Sequence, residues 1–174
     1  MYIQEIIIET AIKYVGQREK PPNVGFIDSK FQELMEIVGW NPSYAWCALF
    51  AELVWKESYS KYDSTIINEL DELFSAGSVQ TFLNFSHNKS WEINNKPIPG
   101  SLVTWQNYKN NKPLWTGHTG IVIQVDEQNG IMETVEGNTN DSGSREGEGV
   151  YLKTRSWLNQ SDNFRIKGFI YPKQ

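Results

Sequence analysis

One cysteine and two histidines are the residues with which this chain could carry out nucleophilic catalysis. Cys47 stands at the predicted first turn of an amphipathic helix, where the positive end of the helix dipole favours a thiolate and lowers the thiol pKa. A lone cysteine among Trp, Ala, Leu and Phe is more often an inert buried side chain, so its position alone does not establish a nucleophile. A cysteine nucleophile also needs a base to take its proton, and imidazole is the usual base.

His118 is the better of the two candidate bases. It stands between glycines at the start of a predicted strand, and the absence of flanking side chains lets another group approach the ring closely. His87 lies in a polar helix end, which is typical of a solvent-exposed histidine. We therefore expect His118 to be the partner of Cys47.

Hairpin geometry supplies the third member of a triad. A turn at 126–130 folds the strand that begins at His118 back on the next strand, which places His118 opposite Glu136 to within one residue. A carboxylate there holds the imidazole in the right tautomer and stabilises its cation. Taken alone, Glu136 resembles a solvated strand-end carboxylate, but beside Cys47 and His118 it completes a triad. Asn138 points to the same face if the strand continues, as an alternative or additional orienting residue.

The elements that position these residues change from helical to extended periodicity along the chain. Helices are predicted over about 3–14, 28–39, from Cys47 onward, 66–74 and 78–86, with Asp28 and Ser78 as N-caps. Strands are predicted over 101–105, 118–125, 131–137, 150–155 and 166–171, and a mobile loop over 138–149. Helices followed by an antiparallel sheet indicate an α+β fold. We expect one domain over 1–174, helical over about 1–90 and sheet over about 97–174.

Composition excludes several classes of protein. With 39% hydrophobic and 13% aromatic residues, the 174-residue chain can bury a core of its own. A net charge of −5 provides no basic stripe for phosphates, so we expect no nucleic-acid partner. No apolar run approaches the roughly 18 residues of a membrane span, so we expect no membrane insertion. The N-terminus lacks a basic region and a long apolar region, which predicts synthesis in the cytoplasm without a signal peptide.

Four segments resemble, in order and spacing, the CHAP branch of the NlpC/P60-type cysteine hydrolases, the papain-like peptidoglycan amidases and endopeptidases. The segments are Trp46-Cys47-Ala48 with Phe50, Pro99 to Val103 with Trp105, Gly117 to Val122, and Val135 to Asn138. The similarity spans roughly residues 8–138, and Gly16, Glu19 and Asn23 match a leader common in bacterial and phage members. The resemblance implies a papain-like core, with N-terminal helices packed on an antiparallel half-barrel sheet.

The resemblance also implies roles for individual residues. Cys47 is the nucleophile, His118 the base and then the acid, Glu136 the orienting carboxylate and Asn138 an active-site polar residue. The backbone amide of Cys47 contributes to an oxyanion hole, to which Tyr44 adds a second donor. We expect neither a metal nor a cofactor, and two histidines without clustered carboxylates also argue against a zinc amidase.

Aromatic side chains are candidates for the wall of a substrate cleft. Most tryptophans of such a chain are expected in the core. The aromatic residues that we assign to the cleft and the oxyanion region are Tyr44, Trp46, Trp105 and Trp115.

The function that follows is hydrolysis of an amide bond in bacterial peptidoglycan through an acyl-enzyme at Cys47. The enzyme would be an N-acetylmuramoyl-L-alanine amidase or a stem or cross-bridge endopeptidase. It would act on the cell wall or periplasm as a phage-type lysin or a secreted antibacterial effector, with an immunity or inhibitor protein as a further partner. Two alternatives stay open: a papain-like deamidase or transamidase acting on protein, and a catalytically silent glycan-binding module.

Overall fold

Helices precede a mixed-length antiparallel sheet in the chain. The computed structural model describes residues 2–139 and 148–174, so most of the predicted loop at 138–149 lies outside the described residues. The helices are α1 (Ile3–Lys13), α2 (Ser29–Ile37), α3 (Cys47–Tyr62), α4 (Ile67–Leu73) and α5 (Ser78–His87). The strands are β1 (Glu19–Lys20), β2 (Gly25–Phe26), β3 (Ile93–Asn94), β4 (Leu102–Lys109), β5 (Lys112–Asp126), β6 (Ile131–Thr139), β7 (Gly149–Ser156) and β8 (Phe164–Ile170). The predicted α+β class is confirmed.

The main sheet has the strand order β3-β8-β4-β5-β6-β7, with antiparallel pairing throughout the described residues. β4 to β7 follow one another as hairpins, and β8 returns to the free edge of β4. The β4–β5 hairpin is longer than predicted, because β5 begins at Lys112 rather than at 118. The turn of this hairpin has positive φ at Asn110 and Asn111, which Asn tolerates.

Helix α3 is the buried centre of the molecule. It packs against α1, β5 and β6, and its first nine residues are all buried. The sheet is buried on both faces at its centre: Ile121 and Val135 belong to the cluster on the helix side, whereas Val122 and Met132 belong to a second cluster on the opposite face. This packing holds the N-terminus of α3 against the central strands β5 and β6.

Helix caps explain two boundaries. The Asp28 carboxylate accepts hydrogen bonds from the backbone amides of Lys30 (2.8 Å) and Phe31 (3.0 Å), as predicted for the N-cap of α2. The prediction that Ser78 caps α5 is wrong. Gly77 is the N-cap, because its carbonyl accepts the first helical hydrogen bond, from the amide of Thr81. Among the described residues, no helix combines the length and apolar character needed to span a bilayer.

Candidate active site

Cys47 is the first residue of α3, with Trp46 as the N-cap. The helix begins where the Trp46 carbonyl accepts the amide of Phe50 at 2.8 Å. The amides of a first helical turn have no partner within the helix, so their partial positive charge faces the thiol. The first turn carries no acidic side chain to neutralise that charge. Cys47 is only 6% exposed, so the thiol stands in a largely buried site.

His118 binds the thiol on one side and a carboxylate on the other. Its Nε2–H donates to Oε2 of Glu136 at 2.9 Å, so the second ring nitrogen is free for the hydrogen bond with Cys47. Burial raises the pKa of the Cys47 thiol, but the His118 cation and hydrogen bonds from the His118 ring and the Thr119 amide outweigh burial and lower it. Burial lowers the pKa of His118, but the thiolate and Glu136 together raise it to about 10. The favoured state is a thiolate–imidazolium pair.

Glu136 is fully buried and accepts hydrogen bonds at both carboxylate oxygens. Oε1 accepts from Oγ1 of Thr134 (2.6 Å) and Nε of Arg155 (2.8 Å). Oε2 accepts from His118 (2.9 Å) and Nη2 of Arg155 (2.5 Å). Burial raises the pKa of Glu136, but the bonds to Arg155 and His118 lower it to about 2. Glu136 is therefore ionised at neutral pH, as the orienting member of a triad must be.

The side chains of His118 and Glu136 meet across the backbone of Gly120. The prediction that the two residues lie opposite each other to within one residue is wrong, because the turn pairs Asp126 with Ile131 and the register places Glu136 beside Gly120. A Cβ built on Gly120 would lie 2.7 Å from Cγ of Glu136. The bare backbone of Gly120 is what lets the carboxylate reach diagonally to the imidazole two residues away.

Asn138 does not continue the strand alternation. β6 and β7 shift register between Glu136 and Thr139, and Asn138 has a φ of 54° in this bulge. Its side chain therefore cannot be assigned to the face of Glu136 by counting residues. The His118 ring donates its hydrogen bond to Glu136, and Asn138 is mostly buried. An orienting role for Asn138 stays a prediction.

Two of the four aromatic cleft assignments are wrong. Trp46 is fully buried in an aromatic cluster, and its indole N–H donates to the carboxylate of Glu19. Trp105 is also buried and stacks on the His118 ring, with centroids 5.8 Å apart and planes at 24°. Tyr44 and Trp115 are exposed, at 48% and 83%, and remain candidates for contact with substrate.

Sequence reasoning missed Thr134 and Arg155. Strand alternation alone places Thr134 on the same face as Glu136, so that contact could have been found from the sequence. Arg155 follows the segment 138–149, whose length leaves the register of β7 against β6 undetermined. No signal in the sequence therefore pairs Arg155 with Glu136.

Comparison with known families decides how this site is classified. A model of the CHAP domain matches residues 39–138, which is more than half of the chain. The chain belongs to the CHAP domain family. The matched segment contains Cys47, His118 and Glu136, and membership implies peptidoglycan hydrolase or amidase-type activity. No curated protein and no solved structure matches the chain.

Metal-binding arrangements are absent from the part of the chain that the structure describes. Across 2–139 and 148–174, no three or more His, Cys, Asp or Glu side chains group together as potential ligands of an ion.

Proposed function

We propose that this CHAP protein is a cysteine amidase or endopeptidase that hydrolyses an amide bond of bacterial peptidoglycan through an acyl-enzyme on Cys47. One observation carries the proposal: the thiol, the imidazole and an ionised carboxylate form one hydrogen-bonded chain from Cys47 through His118 to Glu136. That arrangement supplies a nucleophile, a proton carrier and a group that orients the carrier.

The reaction follows from the order of these groups. The Cys47 thiolate attacks the carbonyl carbon of the amide, and the His118 imidazolium gives its proton to the leaving amine. Neutral His118 then takes a proton from water, whose oxygen attacks the thioester and releases the carboxylic acid. Glu136 stays ionised throughout and stabilises the imidazolium whenever it forms.

In this proposal, the N-terminus of α3 stabilises the negatively charged oxygen of the tetrahedral intermediate. The amide of Cys47 belongs to the first turn, whose N–H groups lack helical acceptors and therefore suit a developing oxyanion. Tyr44, three residues earlier and half-exposed, is the second donor in the proposal. Trp115 stands three residues before His118 on β5 and offers a free aromatic face to a sugar or peptide stem.

The proposal includes a route to the substrate. We propose that the protein is made in the cytoplasm and reaches the wall as a phage-type lysin or as an effector delivered into a rival cell. An immunity or inhibitor protein belongs to the second route. Expression in a test bacterium should cause lysis when the protein is directed to the periplasm and none when it is retained in the cytoplasm. Equal survival in both cases would contradict action on the wall.

Digestion of purified peptidoglycan tests the reaction. Wild type should release soluble fragments with new amine and carboxyl ends, which mass spectrometry assigns to one amide bond. Cys47→Ala and His118→Ala should release none. His87→Ala is the matched control, because His87 is exposed at the end of α5, and it should digest at the wild-type rate.

Two results would overturn the proposal. Full activity of Cys47→Ala would remove the nucleophile from the reaction. Intact peptidoglycan with wild type, together with ammonia release from protein glutamine, would assign a deamidase instead.

A further inference from the structure

Arg155 closes a ring of contacts around the His118–Glu136 pair. Its Nε and Nη2 bind different oxygens of Glu136, at 2.8 and 2.5 Å. Its guanidinium also lies over the Trp105 ring, 5.3 Å from the centroid, and Trp105 stacks on His118. The imidazole is thus held from one side by Trp105 and from another by Glu136, and Arg155 contacts both of these supports.

The fork of the guanidinium determines the rotation of the carboxylate. A two-point contact fixes the plane of a carboxylate, whereas a single contact leaves it free to turn. Oε2 of Glu136 accepts from both Arg155 and His118, so a turn of the carboxylate would displace the oxygen that holds the imidazole. Trp105, over which the guanidinium lies, is itself stacked on Phe164, and this packing limits how far Arg155 can move.

Charge balance gives Arg155 a second effect. In the thiolate–imidazolium state, Cys47 and Glu136 carry two negative charges, and His118 and Arg155 carry two positive charges. The cluster is therefore neutral although it is largely buried. Without the arginine the same state would carry a net negative charge away from water, which is costly and favours uptake of a proton.

Four of the elements packed around the site contribute charged groups to this balance. The charged members come from α3 (Cys47), β5 (His118), β6 (Glu136) and β7 (Arg155), whereas β4 and β8 contribute the uncharged rings of Trp105 and Phe164. Lys153, the other cation on this part of β7, has its ammonium 5.5 Å from the centroid of the Tyr151 ring.

We propose that Arg155 is a positioning residue of this active site: it fixes the Glu136 carboxylate in the orientation that His118 needs and supplies the cation that balances the thiolate. The inference rests on the proposed role of Cys47, His118 and Glu136. It goes beyond that role, because the hydrogen bonds of Arg155 go to Glu136 and it acts through this carboxylate.

Alkylation of Cys47 by iodoacetamide as a function of pH tests the inference without any peptidoglycan. The rate follows the thiolate fraction, so its rise with pH marks the midpoint of thiolate formation. Removal of a nearby cation raises the proton affinity of every neighbouring acid, so Arg155→Met should move this midpoint upward by about 1 pH unit. Arg155→Lys keeps the positive charge but loses the two-point contact with the carboxylate. Its midpoint of thiolate formation should stay within about 0.5 pH unit of wild type, while the rate of peptidoglycan digestion falls.

Arg165→Met is the matched control. Arg165 also lies over an aromatic ring, that of Tyr108 at 4.5 Å, but its hydrogen bond goes to Asn111 rather than to a carboxylate. Its midpoint should equal that of wild type. If the Met variant does not fold, Arg155→Gln removes the same charge while its side chain can still donate a hydrogen bond to Glu136. Circular dichroism checks the fold of each variant.

An unchanged midpoint in the folded Arg155→Met or Arg155→Gln protein would overturn the inference, even if wild type digests peptidoglycan. A shifted midpoint in a protein that leaves peptidoglycan intact would support the inference and reject the proposed substrate. The two proposals therefore fail separately.

Discussion

Replacing Glu136 with glutamine should destabilise the fold as well as disable the nucleophile. Both oxygens of the buried carboxylate accept hydrogen bonds, from Thr134, His118 and twice from Arg155. The glutamine side chain has nearly the same shape, but one of the two oxygens becomes an NH2 group that faces donors. The substitution also leaves the Arg155 cation buried beside a neutral amide.

The structure sets the size of the effect. The pKa of Glu136 falls from its ordinary value of 4.5 to about 2 in the folded protein. A difference of this size corresponds to about 3 kcal/mol in favour of the charged form on folding. Removal of one partner from a buried ion pair costs about 3–5 kcal/mol in other proteins, which agrees in scale. We therefore expect Glu136→Gln to lower the free energy of unfolding at pH 7 by about 3 kcal/mol.

The effect should depend on pH in a defined direction. Because the folded pKa lies below the unfolded one, the stability from ionised Glu136 is present above pH 4.5 and is lost as the pH falls toward 2. The difference between wild type and Glu136→Gln should therefore be largest near neutral pH and shrink below pH 4.5. Urea denaturation followed by tryptophan fluorescence at pH 7 and at pH 3.5 measures both values.

Glu133→Gln provides the matched control, because Glu133 is a partly exposed carboxylate on the same strand. It should unfold at nearly the urea concentration of wild type at both pH values. The reasoning fails if Glu136→Gln lies within about 0.5 kcal/mol of wild type at pH 7, the range of an ordinary surface substitution. It also fails if the difference between the two proteins grows toward acid pH.

Two further substitutions test separate parts of the site. Gly120→Ala should slow peptidoglycan digestion roughly 100-fold with the fold retained, because the new methyl displaces Glu136. Digestion at the wild-type rate would show that a Cβ at position 120 leaves the contact between Glu136 and His118 intact. Burial raises the pKa of Glu19 to about 7 although the Trp46 indole opposes the shift, so wild-type stability should fall by up to about 3 kcal/mol as the pH rises from 4.5 to 7. Glu19→Gln should remove most of that dependence in thermal denaturation at pH 5 and pH 8, and an equal slope in both proteins would exclude Glu19 as its source.

The members of the proposed triad were predictable because each has a local signal. Cys47 stands where an apolar helical period begins, and His118 stands where glycines lead into a β-branched run. Glu136 follows a turn with Asn-Gly chemistry, which brings its strand back beside that of His118. The register was wrong, yet the contact is present, because the offset of two residues preserves the face of the strand.

Burial of individual aromatic residues was not predictable in the same way. Trp46 precedes Cys47 in the sequence and Trp105 lies opposite His118 in the β4–β5 pair, yet both are buried, because the sheet has a packed cluster on each face. In a sheet of this kind, strand alternation does not separate core from cleft. Trp115 is exposed because the β4–β5 hairpin extends beyond the packed region, an extension that was not predicted.

The four charged groups of the proposed site do not all lie within the segment that the family model matches. The CHAP match ends at residue 138, so it contains three of the four charged members of the cluster: His118 and the two anions of the thiolate state, Cys47 and Glu136. The cation that balances them, Arg155, is on β7, beyond that boundary. A piece of chain that ended at 138 would lack β7, which pairs with β6, and with it both hydrogen bonds from Arg155 to Glu136. The proposed active site therefore extends to β7, beyond the segment that the family model matches.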